Sequence, residues 1–85
     1  MASDIESHLR LQFRKTRESA KSLRAAAPDE ASQALVDKAL DELNEAGTLF
    51  SRPGATGVAN LERIGELILS AEAQLAIVSK AIARD

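Results

Sequence analysis

The chain contains no cysteine, no tryptophan and no tyrosine, and its only large aromatic residues are Phe13 and Phe50. Without cysteine it forms no disulfide, holds no metal through thiolates and has no thiol nucleophile. Its longest run of large apolar residues is Leu67-Ile68-Leu69. A membrane-spanning helix needs roughly 20 consecutive apolar residues, so the sequence predicts no membrane span.

Charge is distributed unevenly along the 85 residues, although the net charge is only −2. Residues 1–27 carry six basic and three acidic residues, whereas residues 28–50 carry one basic and six acidic residues. The first residues, MASDIESH, have neither the basic nor the apolar region of a secretory signal peptide. We therefore expect a cytoplasmic protein with one basic and one acidic segment.

Strong helix formers dominate the composition, and they include 16 alanines. Apolar residues recur every three or four positions in three segments, at about residues 3–27, 28–47 and 58–83. In the third segment the apolar seam extends over three heptads, a pattern by which helices pack at shallow angles. We predict an all-α single domain over residues 1–85. It is either a three-helix antiparallel bundle or a helical hairpin with a long C-terminal helix, completed by oligomerisation or by a partner.

Proline and glycine mark the expected ends of these segments. Pro28 suits the first turn of the second helix, where its missing N–H costs nothing. Gly47 is a candidate C-cap of that helix, and continuation of the helix to residue 50 is the alternative. The stretch SRPGATG, residues 51–57, predicts a helix–helix loop, with Thr56 as a candidate N-cap of the third helix. It lacks the G-K-[ST] ending of a phosphate-binding P-loop.

Residues suited to catalysis or metal binding are scarce. His8 is the single histidine, and a zinc or catalytic site needs partners that the sequence does not place around it. Asp37 with Asp41, and Glu62 with Glu66, share helical faces, but the Glu-x-x-His motif of di-metal bundles is absent. We expect no enzyme activity, no catalytic residue, no metal site and no cofactor.

Five basic residues in the first segment are spaced four, three, four and three positions apart, which puts them on one face of a helix. This basic stripe consists of Arg10, Arg14, Arg17, Lys21 and Arg24. One hypothesis pairs it within the chain with the acidic flank of the second segment, namely Glu30, Asp37, Asp41 and Glu45. The alternatives are a negatively charged protein, the phosphates of nucleic acid and an anionic membrane surface. The negative net charge and the lack of Tyr and Trp for base stacking disfavour nucleic acid.

The third segment has more apolar surface than one packed face requires. Leu75 and Val78 belong to its seam, whereas four other residues lie on the opposite side: Leu69, Ala73, Ala76 and Ile77. A helix that is apolar on two sides is either enclosed by its neighbours or shared with another molecule. We predict that these four residues form a protein interface, occupied by a partner protein or by another copy in a homo-oligomer. Enclosure of the third helix by the other two is the alternative.

These features favour a non-enzymatic protein–protein interaction module: a small helical chaperone, adaptor or inhibitor that presents an apolar helix face to a partner. The stretch LERIGELILSAEAQLAIVSK, residues 61–80, resembles the long amphipathic C-terminal helix of small helical-hairpin co-chaperones of bacterial secretion systems. This resemblance implies the same class of function. The other hypotheses are a small nucleic-acid-associated regulator that uses the basic stripe, and a homo-oligomeric structural bundle without a further ligand.

Overall fold

The computed structural model describes residues 2–52 and 57–83, and it consists of three helices. These are α1 (Ala2–Ala26), α2 (Glu30–Ser51) and α3 (Val58–Ala83), and no strand occurs in the two described ranges. Each helix contacts both others, and the contact between α2 and α3 is the most extensive. The prediction of an all-α three-helix bundle is confirmed. Within the same ranges, no helix is long and apolar enough to cross a membrane.

Successive helices run antiparallel, so α1 and α3 point in the same direction. Arg24, near the end of α1, pairs with Asp37, in the first half of α2. Arg63, near the start of α3, pairs with Glu45, in the second half of α2. This arrangement leaves each helix with two packed flanks and one side directed outward.

The core runs along the centre of the bundle, and α3 contributes most to it. Its seven buried residues recur at the helical period that the sequence shows: Leu61, Ile64, Leu67, Ile68, Ala71, Leu75 and Val78. Opposite them, α2 buries small residues such as Ala39 and Ala46 beside the larger Val36 and Leu43. Alternation of small and large side chains lets the two helices approach closely, which explains why α2 and α3 form the main contact.

The N-cap residue Asp29, and not Pro28, determines where α2 begins. Asp29 is the N-cap of α2 in an extended conformation, and its carboxylate accepts a hydrogen bond from the Ser32 backbone N–H at 2.7 Å. Helix α2 therefore begins at Glu30, two residues after the start predicted at about residue 28, and Pro28 lies before the N-cap instead of in the first turn. The physical reason is that a capping carboxylate satisfies an N–H that the helix itself leaves unpaired. The hydrogen bond from the Ser32 backbone, helped by that from the Ser32 side chain, lowers the pKa of Asp29.

The end of α2 lies one residue beyond the longer of its two predicted ends, residue 50. Gly47 is not a C-cap, because α2 continues through it to Ser51. Continuing the helix places Phe50 in the core, where its side chain is only 8% exposed. A Cβ atom at position 47 would lie 3.3 Å from Cζ of Phe13, so the glycine provides room for the ring of α1. Close helix approach, and not chain termination, explains this glycine.

The predicted loop at residues 51–57 begins one residue later than predicted, because Ser51 is the last residue of α2. Residues 53–56 lie outside the described residues, and with them the predicted N-cap Thr56. Before these residues, the Arg52 backbone N–H donates to the Leu49 carbonyl at 3.3 Å. After them, the Asn60 side chain donates to the same carbonyl at 3.1 Å, so a hydrogen bond connects the start of α3 to the end of α2.

Candidate interaction surfaces

The four residues that the sequence predicts as an interface on α3 are all exposed. Leu69 is 63% exposed and Ile77 is 57% exposed, whereas Val78, the next residue in the chain, is fully buried. Ala73 and Ala76 lie exposed between them. We call this surface, made of Leu69, Ala73, Ala76 and Ile77, the α3 outer face.

Helices α1 and α2 pack on the two flanks of α3 and leave the α3 outer face open. On one flank, Glu72 accepts a hydrogen bond from Gln12 of α1 at 3.1 Å. On the other flank, Gln74 donates to Glu42 of α2. Ala73 lies between these two positions and is therefore directed away from both helices. The alternative that α1 and α2 enclose α3 completely is wrong.

Charged residues border the α3 outer face at both ends. Glu66 has a side chain that is 71% exposed, and its carboxylate lies 3.6 Å from the guanidinium of Arg63. Lys80, at the other end, is exposed and forms no ion pair within residues 2–52 and 57–83. From Leu69 to Ile77 the apolar surface covers eight residue steps, about 12 Å of helix.

Two residues of the basic stripe form ion pairs within the chain. The Arg24 guanidinium donates to the Asp37 carboxylate across α1 and α2 at 2.8 Å. Arg10 pairs with Glu6 of its own helix at 3.0 Å, and its guanidinium lies 4.7 Å from the centre of the Phe50 ring. Exposed pairs of this kind contribute only about 0–1 kcal/mol each to stability.

The other three residues of the stripe, Arg14, Arg17 and Lys21, are exposed and make no ion pair with the part of the chain that the structure describes. They border a groove of about 420 Å³ between α1 and α2, whose opposite wall includes Gly47 and Phe50. These residues of α2 carry no charge and cannot neutralise the stripe. Internal pairing of the stripe with the acidic flank of α2 therefore occurs at Arg24 alone.

Acidic residues do little to offset the charge of this groove. Glu45, which the pairing hypothesis assigned to the stripe, pairs instead with Arg63 of α3 at 3.1 Å. Glu18 is the one acidic residue that lines the groove, beside four basic residues. The groove consequently keeps a positive charge next to the rings of Phe13 and Phe50.

The candidate residues for catalysis and metal binding remain dispersed. His8 is exposed, and it lies beside Leu11 and Lys15 on the surface of α1. Across the described ranges, no group of three or more His, Asp or Glu side chains is arranged to hold a metal ion.

Two features of the structure were not predicted from the sequence. Inside the bundle, the hydroxyl of the buried Thr16 donates to the Gln12 carbonyl at 2.7 Å, and its oxygen lies 3.4 Å from the Glu72 carboxylate of α3. No local pattern identifies such a contact, because it depends on which residues face each other across two helices. The other feature is an apolar groove at one end of the bundle.

This end groove lies where α1 and α3 begin and has a volume of about 360 Å³. Ile5 and Val58 line it and are largely exposed, whereas Leu9 and Leu61 form its inner wall. Ile5 shares the apolar side of α1 with Leu9, but it is 60% exposed because α3 does not cover it. Val58 and Leu61 are three positions apart and are therefore neighbours on one side of α3, which is the sequence signal that could have indicated this apolar surface.

No protein-family model, no curated protein and no solved structure matches this chain.

Proposed function

We propose that the protein is a non-enzymatic interaction module whose α3 outer face binds a partner protein. The observation that carries the proposal is the exposure of Leu69 and Ile77 on one side of a helix whose opposite side fills the core. Contiguous exposed apolar residues commonly mark protein interaction sites. The cytoplasm, expected from the sequence, is the compartment in which we place this activity.

The side chains of the α3 outer face fit a helical partner. Full burial of a Leu or Ile side chain is worth about 1.5–3 kcal/mol, so the exposed parts of Leu69 and Ile77 offer about 1–2 kcal/mol each. Ala73 and Ala76 between them leave space for the side chains of an approaching helix. Further contacts must then supply the rest of the binding free energy, because association itself costs several kcal/mol.

The test is a pull-down from the lysate of the native host, with and without nuclease, washed at high salt and analysed by mass spectrometry. The wild type is compared with Ile77→Asp and Leu69→Asp. Leu11→Asp is the matched control, since Leu11 is an exposed apolar residue of α1 that belongs neither to the α3 outer face nor to the end groove. We expect one protein to be retained by the wild type and by the control and lost from both variants. Equal retention by all four proteins would refute the proposal.

A second candidate function is binding of nucleic acid through the basic stripe. It is favoured by Arg14, Arg17 and Lys21, which stay exposed around a positively charged groove. Binding dominated by phosphate contacts weakens linearly in log[salt], whereas an apolar interface survives high salt. Replacement of all three residues by Gln should remove such binding and leave the helices intact. Loss of the retained material on nuclease treatment would favour this candidate over the first.

A further inference from the structure

The sequence of the α3 outer face is nearly symmetric about Ala73. Leu69 and Ile77 stand four positions before and after it, and Glu66 and Lys80 stand seven positions before and after it. Small residues, Ser70 and Ala76, occupy the positions three before and three after. Apolar residues thus match apolar ones, small residues match small ones, and the two charges that match are of opposite sign.

This symmetry suits an antiparallel pair of identical helices. A twofold axis beside Ala73 sets every residue at the level of the one equally far on the other side of position 73. Leu69 then packs beside Ile77 of the partner subunit, and Glu66 lies level with Lys80 of the partner subunit. The same two contacts are repeated on the other side of the axis.

We propose that the α3 outer face binds a second copy of this chain, with the two α3 helices antiparallel and crossing at Ala73. The inference rests on the proposed function, since it names the partner of the same surface. Both charges are available for this pairing: Lys80 makes no ion pair with any residue in the described ranges, and Glu66 is held only by an exposed contact with Arg63. A parallel pair would instead place like charges level with each other, which disfavours it.

The rest of the bundle leaves room for this approach. Near Ala73, the side-chain hydrogen bonds of α3 to α1 and α2 are made by Glu72 and Gln74, which lie on either side of Ala73. Alanine at the crossing point, with small residues at positions 70 and 76, lets two helix backbones come close together. The second copy therefore meets a surface that is open, apolar in its middle and charged at its ends.

Cysteine cross-linking tests the register directly, because the natural chain has no cysteine. Chains carrying Leu69→Cys are mixed with chains carrying Ile77→Cys and oxidised with diamide, and the cross-linked dimers are followed over time. We expect the mixture to cross-link faster than either variant alone, and Ala73→Cys to cross-link with itself. Ala34→Cys, at an exposed alanine of α2, is the control and should cross-link slowly. Preferential pairing of position 69 with 69 and of 77 with 77 would overturn the antiparallel arrangement.

Sedimentation equilibrium over a range of protein concentrations tests the charges. Glu66→Lys should raise the dimer dissociation constant by about tenfold or more, because it brings two positive charges together at each end. The exchange Glu66→Lys with Lys80→Glu should restore it toward the wild-type value. A chain that stays monomeric up to about 1 mM, the range in which even weak complexes form, overturns the inference. If that monomer still retains a host protein that Ile77→Asp loses, the proposed function stands while self-association fails.

Discussion

The ring of Phe13 in α1 meets the ring of Phe50 in α2 edge to face, with centroids 5.6 Å apart and planes inclined by 70°. They are the only two phenylalanines in the chain. Because 36 residues separate them in the sequence, no local pattern links them. The contact fastens α1 to the C-terminal half of α2, and Gly47 provides the space that it needs. The basic groove lies next to these rings, so their packing also shapes the candidate binding surface.

Removal of either ring should destabilise the bundle by different amounts. Phe50→Ala should lower the free energy of unfolding by about 3–5 kcal/mol, because the side chain is nearly fully buried. Phe13→Ala should cost less, since Phe13 is only partly buried. Urea denaturation of both single variants and the double variant gives their coupling free energy, which we expect to be about 0.5–1.5 kcal/mol. Strict additivity of the two changes would show that the rings do not interact.

The two glycines inside helices should respond differently to alanine. Gly65→Ala should raise the free energy of unfolding by up to about 1 kcal/mol, because its Cβ would meet Leu9 at an ordinary 3.9 Å. Gly47→Ala should gain less, since its Cβ would lie 3.3 Å from Phe13 and the ring must shift. Thermal unfolding monitored by circular dichroism compares the two variants. A larger gain from Gly47→Ala would contradict the role assigned to that glycine.

Two consecutive residues of α3 should differ sharply in their tolerance of charge. Ile77→Asp should lower the free energy of unfolding by only about 1 kcal/mol, because its side chain is 57% exposed. Val78→Asp should unfold the protein, because an unpaired carboxylate at a fully buried position is very costly. Circular dichroism at low protein concentration, where self-association is minimal, provides the comparison. Loss of helix in Ile77→Asp would place that residue in the core.

Titration of Asp29, the N-cap of α2, should make the free energy of unfolding depend on pH in the acidic range. The pKa of Asp29 is lower in the folded chain than its ordinary value of 3.8, so the ionised cap favours folding. This contribution is present above the ordinary pKa and is lost as the pH falls through the lower, folded-state pKa. Asp29→Asn keeps a capping oxygen but cannot titrate there.

The measurement is urea denaturation of the wild type and Asp29→Asn at neutral pH and at successively lower pH values. We expect the wild type to lose more stability than Asp29→Asn as the pH falls below about 4. Asp29→Ala, which has no capping oxygen, should be less stable than the wild type at neutral pH. Parallel pH profiles for the wild type and Asp29→Asn would show that the Asp29 carboxylate is not the group responsible.

Features that follow from the helical period were predicted correctly from the sequence, whereas features at the helix ends were not. The side of α3 that contains Leu69 and Ile77 was identifiable because the spacing of apolar residues along one helix determines which of them share a face. Helix ends were less accessible. Asp29, Ser32 and Gly47 have roles that depend on one specific hydrogen bond and one specific ring contact, and composition indicates neither.

The helical class of the protein, the apolar seam of α3 and the alignment of five basic residues on α1 follow from the sequence alone, because all three depend on the spacing of residues within one helix. The packing of the three helices decided that Arg24 pairs with Asp37 of α2, whereas Arg14, Arg17 and Lys21 form no ion pair within residues 2–52 and 57–83. It likewise decided that α1 and α2 flank α3 without covering its outer face. These outcomes depend on which residues of different helices come to lie opposite each other, and that follows from packing the three apolar faces together.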